Sequence, residues 1–535
     1  MSSTMMNFPL TLIPILERAG QVFPEVEIVT RRPDKSLHRH TYADFYRRAR
    51  ALAEVLVKLG LKKGERVGTL MWNHYAHLEA YFGIPAAGGV LHTLNLRLFP
   101  EDIAWIANHA EDRFLIVDDV LLPLYEKFKD QVKFEKVIVF PFSGKPVPGG
   151  YADYEQLLAQ ATGKFEYPKL DEYDGAGMCY TSGTTGKPKG VLYSHRSSVL
   201  HAFGIALPDA AGLSMRDSVV PVVPMFHANA WGLPYSATMM GSKQVMPGPH
   251  LDAESLLDLF EKEKVTLAAG VPTIWMGVLA ALEKEPQRWK LAGMRMTVGG
   301  SAVPESMMRG FDKHGLRVEE GWGMTELSPL GSLARLKPSL DSRSVDEQYS
   351  FRAKAGIPLP FVEVRVVNEN GIAPWDGKTV GELQVRGPWV TGSYYKLPKS
   401  DSFTEDGWFR TGDVVTMLPE GYISITDRTK DLIKSGGEWI SSVDLENEIM
   451  AHPAVKEAAV IAAPHPKWME RPLAVVVLKE GHQLTKDELR SFLKSKFADW
   501  WLPDGVAFVD EIPRTSTGKF LKTKLRDQFQ DWKWE

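Results

Sequence analysis

The chain reads as an α/β protein made of a large N-terminal body and a smaller C-terminal cap. Three observations predict this. Helix-like and strand-like segments alternate through the first part of the chain, as they do in parallel α/β layers. Residues from about 351 to 425 change to short strand-like runs separated by Gly, Pro and Asp turns. The last ~110 residues, close to a typical domain in size, carry their own strands and an amphipathic helix.

The elements follow in order. Thr41-x-x-Asp44 resembles a capping box and opens a helix with Phe45, Ala49, Leu52 and Leu56 on one face; Gly60 ends it, and Arg66–Met71 is a strand. The same pairing recurs as His74–Phe82 before Val90–Leu94, and as Glu101–His109 before Arg113–Val117. It recurs once more as Val120–Phe128 before Lys136–Phe140. Gly144–Gly150 then connects to a second α/β lobe through His195–Phe203, Ser218–Val223 and Leu251–Lys264. Val362–Val367, Gly381–Arg386 and Tyr422–Thr426 are the strands of a small β-rich lobe. Asp427 to Trp439, charged and then glycine-paired, has the character of a hinge, which divides the chain into 1–426 and 427–535. Beyond it, strands at Ala458–Ala463 and Leu473–Leu478 precede a helix opened by the Thr485-Lys-Asp-Glu488 box.

Composition narrows the class. With 535 residues, 44% hydrophobic and 24% charged, the chain is ordinary for a globular enzyme. A net charge of −4 argues against a nucleic-acid or anionic-membrane partner. A single cysteine, Cys179, excludes an internal disulfide and a Cys-rich metal site, and its place at the end of an apparent strand suits packing better than reaction. No signal peptide is read in Met1–Arg18, and no apolar run reaches the ~20 residues of a membrane helix. The expected location is cytoplasmic.

The chemistry is concentrated in a few short stretches. Tyr180-Thr-Ser-Gly-Thr-Thr-Gly-Lys-Pro-Lys-Gly190 is a donor-rich, cationic loop whose glycines let backbone N–H groups approach an anion, although it lacks Walker A spacing. Gly321-Trp-Gly-Met-Thr-Glu326 supplies a planar ring, flexible flanks, a hydroxyl and a carboxylate. Val298-Gly-Gly-Ser-Ala302, Thr411-Gly-Asp413 and Pro513-Arg-Thr-Ser-Thr-Gly-Lys519 follow in series, and only their conjunction is specific.

That series resembles the acyl-adenylate-forming superfamily over nearly the whole chain, particularly its fatty-acyl-CoA synthetase branch. The resemblance implies ATP, Mg²⁺ and coenzyme A as cofactor and co-substrates. It places Thr181, Ser182, Gly183, Thr184, Thr185 and Lys189 on phosphate, with Thr181 and Glu326 on the metal. Gly299, Gly300, Ser301, Glu320, Gly321 and Trp322 become the walls of the nucleotide pocket. The family's usual aromatic at Trp322 is tyrosine, so stacking on adenine carries over but a phenolic hydrogen bond does not. Thr325 falls near the α-phosphate, and Asp413 takes both ribose hydroxyls, a task suited to a carboxylate. Arg428, Lys430 and Lys434 are hinge cations; Gly436, Gly437 and Trp439 lie towards the coenzyme A channel. Lys519 becomes the principal catalytic residue of adenylate formation, bridging the acid and the α-phosphate.

Pro224-Met-Phe-His-Ala-Asn-Ala-Trp-Gly-Leu-Pro234 resembles the bacterial medium- and long-chain fatty-acid ligases, which assigns His227, Ala228, Trp231 and Val298 to the acyl substrate. The stretch has no carboxylate of the kind that amino-acid-activating relatives use for a substrate ammonium. The expected partners are thus small molecules, with a homodimer through the N-terminal lobe implied by the resemblance. A ligase for short, aromatic or methylthio-alkanoic acids would share every nucleotide motif, and a non-catalytic nucleotide- or acyl-binding protein is the reading from another class.

Overall fold

A computed structural model describes residues 3–181, 187–428, 431–435, 438–465, 467–515 and 518–534, with the backbone alone at 434, 438 and 439. Two large α/β layers form the body. The first is a seven-stranded sheet in the order Ala152–Asp153, Lys136–Phe140, Asp112–Asp118, Arg66–Leu70, Val90–Thr93, Gly175–Tyr180, Gly190–Ser194. Its strands run parallel except the last, which turns back antiparallel on Gly175–Tyr180. The second has nine strands, with Arg317–Gly323, Arg295–Gly299, Leu267–Gly270, Ser218–Pro221 and Lys243–Met246 as its parallel centre. The far edge of this second sheet is the N-terminal hairpin Glu27–Arg31 and Leu37–Thr41, which no motif announces and which pairs in parallel with Lys243–Met246.

The helix Tyr42–Lys58 shows how local sequence sets these layers. Thr41 caps it, with Asp44 answering in a full capping box, and Phe45, Ala49, Leu52 and Leu56 are all buried. That face packs on the helix Tyr75–Ala86, which is buried along its whole length and joins the largest core cluster between the sheets. Val120–Phe128, expected as one helix, is a 3-10 turn Asp119–Leu121 followed by the short helix Leu122–Tyr125, because Pro123 suits only a first turn.

The β-rich lobe is a five-stranded antiparallel sheet: Gly371–Ile372, Glu363–Asn368, Gly381–Arg386, Phe409–Met417 and Ile423–Arg428. It begins later than the sequence suggests, since the helix Val345–Arg352 runs through residue 351. After it, Val455–His465 and Met469–Leu478 form a long antiparallel pair backed by the helix Ser442–Met450, with Gly505–Phe508 added in parallel. The Thr485 capping box forms as read, and Leu489 and Leu493 are buried in that unit's own core. Among the described residues, no helix is long and apolar enough to cross a membrane.

Candidate active site

The strand Gly175–Tyr180 of the first sheet and the strands Leu267–Gly270, Arg295–Gly299 and Arg317–Gly323 of the second end on one crevice, the kind of position at which open α/β sheets hold ligands. A cavity of about 600 Å³ opens there, and a second of about 270 Å³ adjoins it under the C-terminal unit. Thr181, Lys189, His227, Trp231, Gly299 and Glu326 all line the larger one. Ser301, Glu320 and Asp413 line the smaller, and Gly300, Gly321, Trp322, Arg428 and Lys519 border both. Seven stretches spread from residue 181 to residue 519 therefore converge.

The neck of the phosphate loop is closed by two bonds: Lys189 O accepts from Thr181 N–H (2.9 Å), and Thr181 Oγ1 accepts from Lys189 N–H (3.0 Å). Ser182, Gly183, Thr184 and Thr185 lie outside the described residues, as do Lys430, Gly436 and Gly437. Lys434 and Trp439 face each other in the register of the short pair Ile433–Ser435 and Glu438–Ile440. The Lys189 ammonium sits 4.6 Å from the Tyr394 ring centre, and the Tyr394 hydroxyl donates to Glu326 Oε1 at 2.7 Å. Tyr394 is a site residue that no motif marked. It holds the Glu326 carboxylate in place by one oxygen. Tyr193 likewise donates to Thr325 O at 2.8 Å, fixing the 3-10 turn Thr325–Leu327 that follows Gly323.

Trp322 does more than offer a ring. Its Nε1–H donates to Asp413 Oδ2 at 2.8 Å, and the Arg428 Nε–H meets Asp413 Oδ1 at 2.6 Å. Asp413 is thereby pinned from both sides, and Asp413 N–H is bonded to Thr411 Oγ1. The indole N–H is a donor that the edge of a tyrosine ring lacks, so the substitution noted in the sequence coincides with this bond. Gly299 is required on two counts: a Cβ would lie 2.8 Å from Gly321 O and 3.3 Å from the Trp231 ring. Gly300 has φ +93°, and a Cβ there would stand 3.6 Å from Lys519 Cε.

Val298 is a correction. It is fully buried, in the core cluster with Val220, Met296 and Val318, and does not reach the cavity. The cause is strand alternation: in Arg295–Gly299, Thr297 and Gly299 face the cavity, so Val298 must face away. The apolar lining comes instead from Ile205, Ala211, Leu233, Ala269, Leu330 and Leu333, of which only Leu233 lies in a quoted motif.

Lys519 enters from the C-terminal unit on a turn closed by Thr515 O accepting from Gly518 N–H (2.9 Å) and Thr515 Oγ1 from Lys519 N–H (3.1 Å). What surface it keeps faces the cavity. Burial and the Arg428 guanidinium lower its pKa to about 8, partly opposed by Asp413 and Glu326. His227, surrounded by protein and near Lys519 and Arg97, is lowered to about 3, so its imidazole is neutral. Asp427 Oδ2 accepts from Ser442 N–H (2.9 Å), and burial pushes its carboxyl up. Lys522, three residues after Lys519, is not available for chemistry: it pairs with Glu446 at 2.6 Å.

A cavity lined by polar side chains and glycines, by apolar side chains and by the Lys519 ammonium is a site able to bring an acid to a nucleotide. The chain belongs to the AMP-binding enzyme family, whose model matches residues 16–395, with the family's C-terminal domain matching residues 444–519. It is 51% identical, over 99% of this chain and 97% of the other, to a long-chain-fatty-acid–CoA ligase of Thermus thermophilus. It is 46% identical, over 99% of each, to a 3-methylmercaptopropionyl-CoA ligase of Ruegeria lacuscaerulensis. Among solved structures, an anthranilate CoA ligase in complex with anthranoyl-AMP superimposes with a TM-score of 0.87, at 26% identity and 99% coverage of both chains. The resemblance read from the motifs, the fold class and the use of ATP, Mg²⁺ and coenzyme A by this family accordingly stand.

Proposed function

We propose that the protein is an ATP-dependent fatty-acid–CoA ligase acting on medium- or long-chain acids through an acyl-AMP intermediate. The observation that carries the acyl half of this reading is the set of apolar side chains on the cavity wall. Ile205, Ala211, Leu233, Ala269, Leu330 and Leu333 carry no charge and no hydrogen-bonding side chain, which suits an alkyl tail and nothing polar.

Adenylate formation brings a carboxylate to a polyphosphate, so the site must first offset like charge. Lys519 is the group placed for this. Its ammonium is protonated at neutral pH, and two arriving anions strengthen its hold on the proton. Lys189 supplies a second cation at the phosphate end. Neutral His227 faces the acid without adding charge, able to hydrogen-bond the carboxylate from one nitrogen. Asp413, held by Trp322 and Arg428, presents its remaining lone pairs to the ribose, while the Trp322 ring and the Gly299–Gly300 backbone bound the adenine. The Glu326 carboxylate and the Thr181 hydroxyl share the cavity and fit Mg²⁺, an oxygen-seeking ion that takes few protein ligands beside phosphates. When bound, it neutralises phosphate charge.

With Lys519 inserted, the C-terminal unit covers the cavity and keeps water from the adenylate. Thiol attack needs the same side opened, so the cap turns about Asp427 and withdraws Lys519 to admit coenzyme A. Pyrophosphate, displaced from the α-phosphorus by the acid's carboxylate, leaves after the first half-reaction; the thiol then displaces AMP from the acyl carbon, and acyl-CoA and AMP leave.

The relative from Ruegeria favours a second reading with the same mechanism: a short methylthio-alkanoic acid in place of a fatty acid. Coenzyme A-dependent AMP formation across saturated acids from acetate to palmitate, with 3-methylthiopropionate and cinnamate beside them, separates the two. A maximum at medium or long chains, lost in Lys519→Ala, supports the fatty-acid reading. A maximum at 3-methylthiopropionate or acetate replaces the substrate and keeps the mechanism. ATP binding with no turnover on any acid would leave a binding protein.

A further inference from the structure

The segment carrying Trp231 has the wrong hand for its residues. Ala228, Asn229, Ala230 and Trp231 have φ of 42°, 52°, 49° and 56°, and Gly232 follows at 74°. His227 O accepts from Ala230 N–H (3.0 Å) and Asn229 O from Gly232 N–H (2.9 Å), so the run is a left-handed turn with i to i+3 bonds. L-residues avoid this conformation because Cβ crowds the next carbonyl; glycine and, less often, asparagine visit it, usually singly. Two alanines and a tryptophan persist there only where the surroundings over-determine them.

Two features do so. At the end of the turn a Cβ on Gly232 would lie 2.6 Å from the His201 ring, so the position has room for glycine alone. In its middle the buried Asn229 side chain reaches across to the strand Gly175–Tyr180, where its Oδ1 accepts from the Cys179 thiol at 3.1 Å. Gly177 on that strand makes the room, since a Cβ would fall 2.9 Å from Asn229 Nδ2. Residues just upstream are fixed separately, with Asn73 Oδ1 accepting from Met225 N–H (2.8 Å) and the Tyr81 hydroxyl donating to Met225 O. Within 228–232, Asn229 alone offers an amide side chain as an anchor.

We propose that Asn229 is a positioning residue for acyl-chain selection: bonded to Cys179, it holds the left-handed turn and so fixes where the Trp231 ring stands across the cavity. This rests on the acid–CoA ligase reading above. The ring lies against Gly299, between the nucleotide wall and the apolar lining, so a change of hand at 228–231 swings it and alters the room left for a chain. Cys179 acts as a donor and not as a nucleophile; burial pushes its thiol up to about 11, which keeps the proton on sulfur. The strand that ends at Cys179 and Tyr180 runs straight into the phosphate loop, so both ends of the substrate site hang on one strand.

The test is kcat and KM for acetate, butyrate, octanoate, dodecanoate and palmitate, with KM for ATP, in the wild type, Asn229→Ala, Cys179→Ala and Cys179→Ser. Asn229→Ala and Cys179→Ala should raise KM for the wild type's preferred acid about tenfold and flatten the chain-length profile, leaving KM for ATP within about twofold. Cys179→Ser, whose hydroxyl can donate to the same oxygen, should keep the wild-type profile. If Asn229→Ala does not fold, the contrast between Cys179→Ala and Cys179→Ser decides. An unmoved profile in both alanine variants, KM values for ATP and acid rising together, or Cys179→Ser behaving as Cys179→Ala would overturn the positioning role alone. A wild type without activity on any acid would overturn the parent reading with it.

Discussion

The end of the cavity we assign to the nucleotide is built from short motifs on or beside strands, while the end we assign to the acid is assembled from single apolar residues and one strained turn. Gly299 and Arg428 are the last residues of their strands, Gly321 and Trp322 lie just short of the end of theirs and Asp413 in the middle of Phe409–Met417, and the bonds from Trp322 and Arg428 to Asp413 fix the geometry without a ligand. At the other end Ile205, Ala211, Leu233, Ala269 and Leu330 come from five different stretches, and the ring beside them rests on a backbone run costing about 1–2 kcal/mol for each non-glycine residue. A nucleotide offers the same charges and edges in every turnover, which suits a fixed polar frame. Acyl chains differ only in length and shape, which packing can read and hydrogen bonds cannot.

If that division holds, changes at the nucleotide end scale activity equally for every acid. Asp413→Ala removes the proposed ribose acceptor and takes from the Trp322 N–H and Arg428 their shared partner; kcat/KM for ATP should fall about 100-fold, by the same factor with octanoate and palmitate. Changes at the acyl end should instead tilt the profile. Ala211→Phe narrows the apolar lining, and steady-state kinetics should show kcat/KM for the longest accepted acid falling about tenfold or more while KM for ATP stays put. A uniform fall would merge the two ends.

A smaller effect probes the tryptophan. Trp322→Phe keeps an aromatic face and deletes the indole donor to Asp413, a loss of about 1 kcal/mol, so KM for ATP should rise roughly fivefold with the chain-length profile unchanged. The smallest expected effect is in pH. Lys519 must be charged to act, so kcat/KM for adenylation should fall as pH rises through about 8. Arg428→Gln removes a like charge and leaves the Asp413 carboxylate without its cationic partner, though still bonded to Trp322; both changes let the Lys519 ammonium keep its proton to higher pH, so the alkaline limb should move up. A limb that moves down would contradict the assignment.

The same asymmetry governed what the sequence could reveal. Capping boxes at Thr41 and Thr485 and the order of the nucleotide motifs are local signals, and the structure brings Thr181, Glu326, Asp413 and Lys519 to one crevice as those motifs imply. The edge hairpin Glu27–Thr41 was not legible, because its pairing with Lys243–Met246 spans the body. Val298 was misplaced because a motif gives residues and not the face a strand presents. Tyr394, which orients Glu326, and Asn229, which anchors the turn, act through contacts far away in sequence. Nothing in their neighbours' identity marks them.

The most direct test of a site closed for adenylate formation is to split the half-reactions in Lys519→Ala. Acid-dependent ATP–pyrophosphate exchange should fall by about 100-fold or more, whereas thioester formation from preformed acyl-AMP and coenzyme A should stay near the wild-type rate. Equal loss of both half-reactions, or exchange that survives, would contradict the role given to Lys519 and to the closed cap.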